Sequence, residues 1–143
     1  MISIVTCWLD HPELIPAYEA AVVGAQVVIV DQASDAQTAG ALDAMVGRLG
    51  NGSVVVHNSD NRHFAPGCNQ GAEETTQDVL CFLNNDIVGT GTPPNAWLQH
   101  VERSVIPGGI YGPSVQPFDV DGEPEYYVEG WCLGVSRETW AAF

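Results

Sequence analysis

The sequence predicts an α/β fold in which a mostly parallel central sheet carries helices on both faces. Three observations lead there. Short, β-branched apolar runs recur at residues 2–7, 27–30, 54–56 and 79–83. Segments with apolar residues at helical spacing separate these runs, so strands and helices alternate. The runs are apolar on both of their faces, as strands are when helices cover a parallel sheet above and below, with right-handed crossovers.

Each element has its own local signal. After the first strand, Trp8-Leu9-Asp10-His11-Pro12 is a loop, and Pro12 followed by Glu13 suits a helix start. Leu14, Ala17, Tyr18, Ala21 and Val22 recur at helical spacing, and Gly24 closes that helix. Strand two ends in Asp31-Gln32-Ala33-Ser34-Asp35, a cluster of cap and turn residues. A second helix is expected over residues 38–49, Asn51-Gly52 is a turn, and strand three follows. A polar loop at 58–62 leads to a third helix from Pro66 to near Thr76, then to strand four. Past Asp86 the pattern changes. Gly89, Gly91, Pro93 and Pro94 make an irregular loop, 96–105 looks helical, and 108–115 reads as a strand. Residues 117–124 read as an acidic turn, 126–135 as further strand, and a last helix begins near Arg137.

A chain of 143 residues fits one domain with a real core. No apolar run approaches a membrane span. The amino-terminal segment enters a strand without a basic stretch, which argues against a secretory signal. The four cysteines (Cys7, Cys68, Cys81, Cys132) are widely spaced with no Cys-x-x-Cys pair. They suit reduced, mostly buried thiols of a cytoplasmic protein better than disulfides or zinc ligands. Charge is the outlying property: eighteen acids against four bases give −14, and every base is arginine. Nucleic-acid partners need a basic footprint and are disfavoured. The acidity suits a solvated surface, or a saline habitat where screening relieves self-repulsion. A polyanionic ligand on such a chain requires local neutralisation, by a metal or by one of the arginines.

Strand four ends abruptly in Asn84-Asn85-Asp86. In open α/β sheets, ligands bind at the carboxyl ends of strands. A carboxylate flanked by amides there suits a divalent cation carrying a phosphorylated ligand, while Asn and Asp also dominate plain turns. The loop after strand one lacks Gly-x-Gly-x-x-Gly, and a phosphate-binding loop needs a lysine that the chain does not have. Both common backbone cradles for phosphate are therefore missing. A bound diphosphate would have to be carried by a metal, which directs attention to Asp86.

Four stretches, in order, also resemble a known family: Ser3-Ile4-Val5-Thr6, then Val30-Asp31-Gln32-Ala33-Ser34-Asp35, then Asn61-Arg62-His63-Phe64-Ala65-Pro66-Gly67-Cys68-Asn69-Gln70-Gly71, then Phe82-Leu83-Asn84-Asn85-Asp86. They look like successive signatures of the GT-A family of inverting glycosyltransferases, with the rhamnosyltransferase-like members as the most similar branch. The third stretch is the most specific. The resemblance covers nearly the whole chain and weakens between Thr90 and Glu125. It implies a Rossmann-like GT-A nucleotide-diphospho-sugar transferase fold. The single domain 1–143 would comprise a nucleotide-binding half, 1–88, and an incomplete acceptor-side half, 89–143.

The resemblance also implies roles. Asp31 would recognise the nucleotide through its base or ribose hydroxyls, though capping the next turn is an ordinary use for it. Ser34 belongs to the same cluster. Cys7 and Trp8 would line that pocket, with Trp8 stacking on the base or serving as a buried aromatic. Arg62 would meet phosphate bidentately or form a surface ion pair. Asn69 would face the pocket from the third helix, whereas Phe64 and Ala65 are expected to pack. Asn84-Asn85-Asp86 matches the place of the family's Asp-x-Asp motif with Asn in first position. Asp86 would ligate Mg²⁺ or Mn²⁺, Asn84 would contact ribose or a metal-bound water, and Asn85 would belong to the substrate-binding residues. Tyr127-Val128-Glu129-Gly130-Trp131 resembles the acceptor-side strand that precedes the family's Gly-Gly-Phe-Asp-Glu and Glu-Asp motifs. The chain ends at Phe143 before either motif. Glu129 is then the best carboxylate for the general base or a sugar contact, beside Gly130 and Trp131. His63 and His100 are further candidates, each equally a structural histidine.

The expected partners are a UDP-, GDP- or dTDP-linked sugar donor and a saccharide or other hydroxyl acceptor, with a homo-oligomer able to complete the acceptor side. Two other classes stay open: a nucleotide-sugar binding module without turnover, and a nucleotidyltransferase, whose triphosphate would want more bases than this chain carries.

Overall fold

The computed structural model describes residues 1–113 and 131–142, and the backbone of 115–120 and 123–128. Strand β1 (Ile2–Trp8) is followed by a 3₁₀ turn at Pro12–Leu14 and helix α1 (Ile15–Val22). Then come β2 (Gln26–Asp31), α2 (Ala36–Leu49), β3 (Val54–His57), α3 (Phe64–Glu73) and β4 (Val79–Leu83). The rest is α4 (Trp97–Ser104), β5 (Ile110–Tyr111), β6 (Val115–Val120), β7 (Glu123–Val128), β8 (Cys132–Ser136) and α5 (Arg137–Ala141).

A six-stranded sheet runs in the order β3-β2-β1-β4-β8-β5. Pairing is parallel from β3 through β4, and β8 alone runs against its neighbours. The mixed α/β class with a mostly parallel sheet is thus as the sequence predicts. The first three strands step outward in one direction and β4 lies on the other side of β1. The order therefore reverses between β1 and β4, the kind of point at whose carboxyl edge open α/β sheets hold their ligands.

Side chains of each strand alternate between two cores. On one face, Ile2, Ile4 and Trp8 of β1, Val27 and Ile29 of β2 and Cys81 and Leu83 of β4 pack under α1, α2 and α4. On the other, Val5, Val28, Val30, Leu80 and Phe82 meet Cys68 and Ala72 of α3. Helix α3 comes in very close: a Cβ on Gly71 would stand 2.4 Å from Val5 Cγ1. The four cysteines are unbridged, with Cys81 Sγ and Cys132 Sγ 3.7 Å apart.

Several boundaries differ from expectation. Helix α2 starts at Ala36, because the Asp35 side chain accepts from the Thr38 amide and caps it. Helix α3 starts at Phe64, two residues before Pro66, which a first turn tolerates because no intrahelical bond is lost. The strand expected over 108–115 is only Ile110 and Tyr111 in the sheet, since Pro113 offers no amide to extend the ladder. Residues 117–124, expected as a turn, mostly belong to the separate antiparallel pair β6-β7. The overlooked signal is Asp121-Gly122, a two-residue hairpin sequence between Val120 and Glu123, which pair with each other.

Candidate functional site

At the carboxyl edge, Trp8, Asp31 and His57 lie level across β1, β2 and β3. Trp8 is fully buried, stacks edge-to-face on Tyr18 at 5.2 Å, and donates its indole N–H to the Asp10 carbonyl at 2.6 Å. It is a core residue that fastens the following loop, so the expectation of a base-stacking surface is corrected. Cys7 points to the opposite side of β1, as neighbouring strand residues must. Its half-buried thiol lies against the Phe64 carbonyl at 3.6 Å. Cys7 and Trp8 therefore do not line one pocket.

Asp31 is buried, at 2% exposure, and its carboxylate is engaged. Oδ1 accepts from the Ser34 amide at 2.9 Å, and Oδ2 is 2.8 Å from His57 Nδ1. Burial alone would raise the Asp31 pKa. The hydrogen bonds from Ser34 and His57 outweigh it and hold the carboxyl below its ordinary range. Ser34 ties two loops together, its Oγ accepting from the Asp10 amide at 2.8 Å, while Asp10 Oδ1 accepts from the Asp35 amide at 3.0 Å. The expected capping role is thus filled by Asp31 itself as well as by Asp35. His57 was not singled out from the sequence, although its place at the end of strand three, level with the end of strand two, was a usable signal.

The loop after β3 reaches the same edge. The Arg62 amide donates to Gln32 Oε1 at 2.7 Å, and its half-exposed guanidinium stands 3.7 Å from Asp60. Gln32 is 3% exposed, and its Nε2 has no hydrogen-bond partner among the described residues. Arg48 is bound bidentately to Glu19, and Arg137 donates to Thr75 and the Gln77 carbonyl at the far edge. Arg103 is exposed in the last turn of α4, so of the four arginines Arg62 is the one on a loop that reaches the carboxyl edge. Asn69 is exposed on α3, away from the sheet. Phe64 is 45% exposed and Ala65 is exposed, so neither is the packing residue expected.

Backbone strain gathers at this edge too. Asp10, His11, Ala33 and His63 have φ of 50°, 59°, 67° and 66°, each in a loop that follows β1, β2 or β3. Left-handed non-glycine residues cost roughly 1–3 kcal/mol each and cluster at ligand sites.

Beyond β4, Asn85 and Asp86 form a turn. Asn84 is half-buried, and its amide donates to the Trp131 carbonyl at 3.0 Å, which brings the start of β8 beside the end of β4. The Asp86 side chain is exposed, with no hydrogen bond or ion pair among the described residues. Next to it opens a cavity of about 380 Å³, walled by Ile87–Gly91 of the following loop, by Trp97 and His100 of α4, and by Tyr111 and Trp131. Glu129 and Gly130 lie outside the described residues.

A family model described as glycosyl transferase family 2 matches residues 14–103. The chain belongs to that family. Among solved structures, this family 2 chain superposes on a mannosyltransferase from Pyrobaculum calidifontis, solved in complex with GDP-Man and Mn²⁺. The TM-score is 0.73 at 14% identity, over 96% of this chain and 44% of that one. The GT-A fold is thereby shown, in a chain that spans less than half the length of that structure. No curated protein matches the sequence.

A diphosphate on so acidic a chain needs its charge neutralised, and the residues can be tested against a divalent metal. No group of three metal-ligating side chains occurs among the described residues. Mg²⁺ and Mn²⁺ do not need one when the substrate brings phosphate oxygens, since one or two carboxylates and water complete the shell. Asp86, exposed and without a partner among the described residues, at the carboxyl end of β4 and next to the cavity, fits that arrangement. Asn84 and Asn85 add neutral oxygens and no charge.

Proposed function

We propose that this domain transfers a sugar from a nucleotide-diphosphate donor to an acceptor hydroxyl, with inversion and with Mg²⁺ or Mn²⁺. The observation that carries the reading is the exposed Asp86 carboxylate, without a partner among the described residues, at the carboxyl end of β4 beside the strand-order reversal in a family 2 chain. Asp31, held by Ser34 and His57 at the end of β2, is assigned the base edge or ribose hydroxyl, from which its carboxylate would accept as it comes into contact with the nucleoside. Arg62 leaves Asp60 to meet a phosphate, a stronger partner because a guanidinium can grip it at two points. Asp86 would hold the cation that accompanies the diphosphate. When bound, that cation supplies Lewis-acid stabilisation of the charge on the departing nucleoside diphosphate. Glu129 takes the acceptor proton. The cavity beside Asp86, walled by Trp97, Tyr111 and Trp131, supports an acceptor bound on that side. The GDP-Man complex of the Pyrobaculum neighbour supports GDP-linked hexoses as the first donors to try, with dTDP-linked rhamnose as the choice that the motif resemblance favours. A cytoplasmic location, in keeping with unbridged thiols, belongs to the same proposal.

A second reading, a nucleotide-sugar binding module without turnover, is favoured by the lone Asp86 where two carboxylates would hold metal more tightly. Donor turnover separates the two. With GDP-, UDP- and dTDP-sugars and Mn²⁺, an enzyme releases nucleoside diphosphate slowly into water and faster with an acceptor alcohol. Glu129→Gln should keep donor binding and lose roughly two orders of magnitude in rate. Release without acceleration by any acceptor supports the module, and undiminished transfer by Glu129→Gln removes Glu129 from the base role.

A further inference from the structure

His57 closes β3 level with Asp31 on β2. Its Nδ1 is 2.8 Å from Asp31 Oδ2 and its Nε2 is 3.1 Å from Asp43 Oδ1. Ionised carboxylates only accept hydrogen bonds, so both ring nitrogens must carry a proton, and the ring is an imidazolium donating to both sides. The elements packed on β3 are β2 and α2, and the charged groups they turn to this ring are Asp31 and Asp43 respectively. The two acids differ in need. The Asp31 side chain is 3% exposed and has little water to fall back on, whereas that of Asp43 is 61% exposed. The hydrogen bond to Asp31 is the main cause that raises the His57 pKa, with burial opposing it and Asp43 reinforcing it.

We propose that His57 is a positioning residue for nucleotide recognition. Held as an imidazolium on Asp43, it fixes the position and charge of the buried Asp31 carboxylate at the carboxyl edge, and so ties donor affinity to pH. The inference rests on the reading that Asp31 contacts the nucleotide. Loss of the ring's charge at alkaline pH leaves a single N–H for two carboxylates. Asp31 then becomes an undercompensated buried anion beside an anionic ligand, in a chain of net charge −14. Nucleotide affinity therefore falls as pH rises through the His57 pKa. Asp43 touches no ligand in this scheme and sets only where that fall occurs.

The test is calorimetric titration of GDP, UDP and dTDP with Mn²⁺ between pH 6 and pH 9, on the whole chain and three folded variants. His57→Leu should weaken binding roughly tenfold or more, the usual consequence of losing a hydrogen bond to a buried charge. His57→Asn keeps a donor where Nδ1 stood, so it should restore most of the affinity and flatten the pH dependence. Asp43→Asn should move the alkaline loss to lower pH. Nitrogen chemical shifts of the His57 ring in the unmodified chain give an independent readout, with both nitrogens protonated at neutral pH. A single protonated nitrogen there overturns the proposal, as does wild-type affinity and pH profile in His57→Leu or an unmoved profile in Asp43→Asn. If the unmodified chain binds none of the three nucleotides, the functional reading itself has failed, which is a distinct outcome.

Discussion

Asp31 and His57 show how single residues set both stability and chemistry. The Asp31 carboxyl is held below its ordinary range, so its contribution exists above the unfolded carboxylate pKa and disappears as pH falls through the folded value. His57 is shifted the other way. Its contribution is complete below the unfolded value of about 6.5 and disappears as pH rises through the raised folded value. The stability difference between wild type and His57→Leu, from urea unfolding across pH, should be largest above the range where Asp31 ionises and below about pH 6.5, and should shrink at alkaline pH to what one neutral N–H donor contributes. A difference that grows with pH would reverse the assigned protonation. At this scale the sequence was readable where position follows from strand ends, as for Asp31 and Asp86. It misled where facing mattered. Counting by twos from Ile4 already puts Trp8 on the face of Tyr18 and Cys7 on the other, yet a short loop-edge aromatic invites a ligand-stacking role. His57 escaped notice because its partner Asp31 is distant in sequence and close only through β2-β3 register.

Helix α3 illustrates the next scale, since two glycines let it sit directly on the sheet. A Cβ at Gly71 would fall 2.4 Å from Val5 Cγ1 and 2.9 Å from Val30 Cγ2, in strands that cannot yield without moving the edge that carries Asp31. Gly71→Ala should cost roughly 1–3 kcal/mol by overpacking. Gly40→Ala in α2, where nothing lies within 4 Å, should instead stabilise by about 0.5–1 kcal/mol. Thermal melts of the two variants side by side test this; equal shifts would mean that helix propensity, rather than contact with the sheet, governs both. The alternation of the first four strands was legible because each is short, apolar and bounded by turn residues. The second half was harder, since β5 and β8 pair with partners far along the chain and no local period reports that. Prolines at 117 and 124 also disguise β6 and β7, a pair that stands apart from the main sheet.

The molecule as a whole is a strongly acidic family 2 domain in which Arg48 and Arg137, two of its four arginines, are engaged away from the site. With a net charge of −14, self-repulsion opposes the compact state, and salt should relieve it. The melting temperature should rise between about 50 mM and about 500 mM NaCl, before any specific ion effect enters. An unchanged or falling value would mean that the ion pairs at Arg48 and His57 outweigh general repulsion. The same charge makes the central claim testable, because an anionic nucleotide has little reason to bind here unaided. Calorimetry of GDP, UDP and dTDP with the unmodified chain, with Mn²⁺ and with chelator, and again with Asp86→Asn, addresses it most directly. The account predicts binding of at least one nucleoside diphosphate that requires Mn²⁺ and is lost in Asp86→Asn. Binding that ignores both the metal and Asp86, or no binding at all, would contradict it.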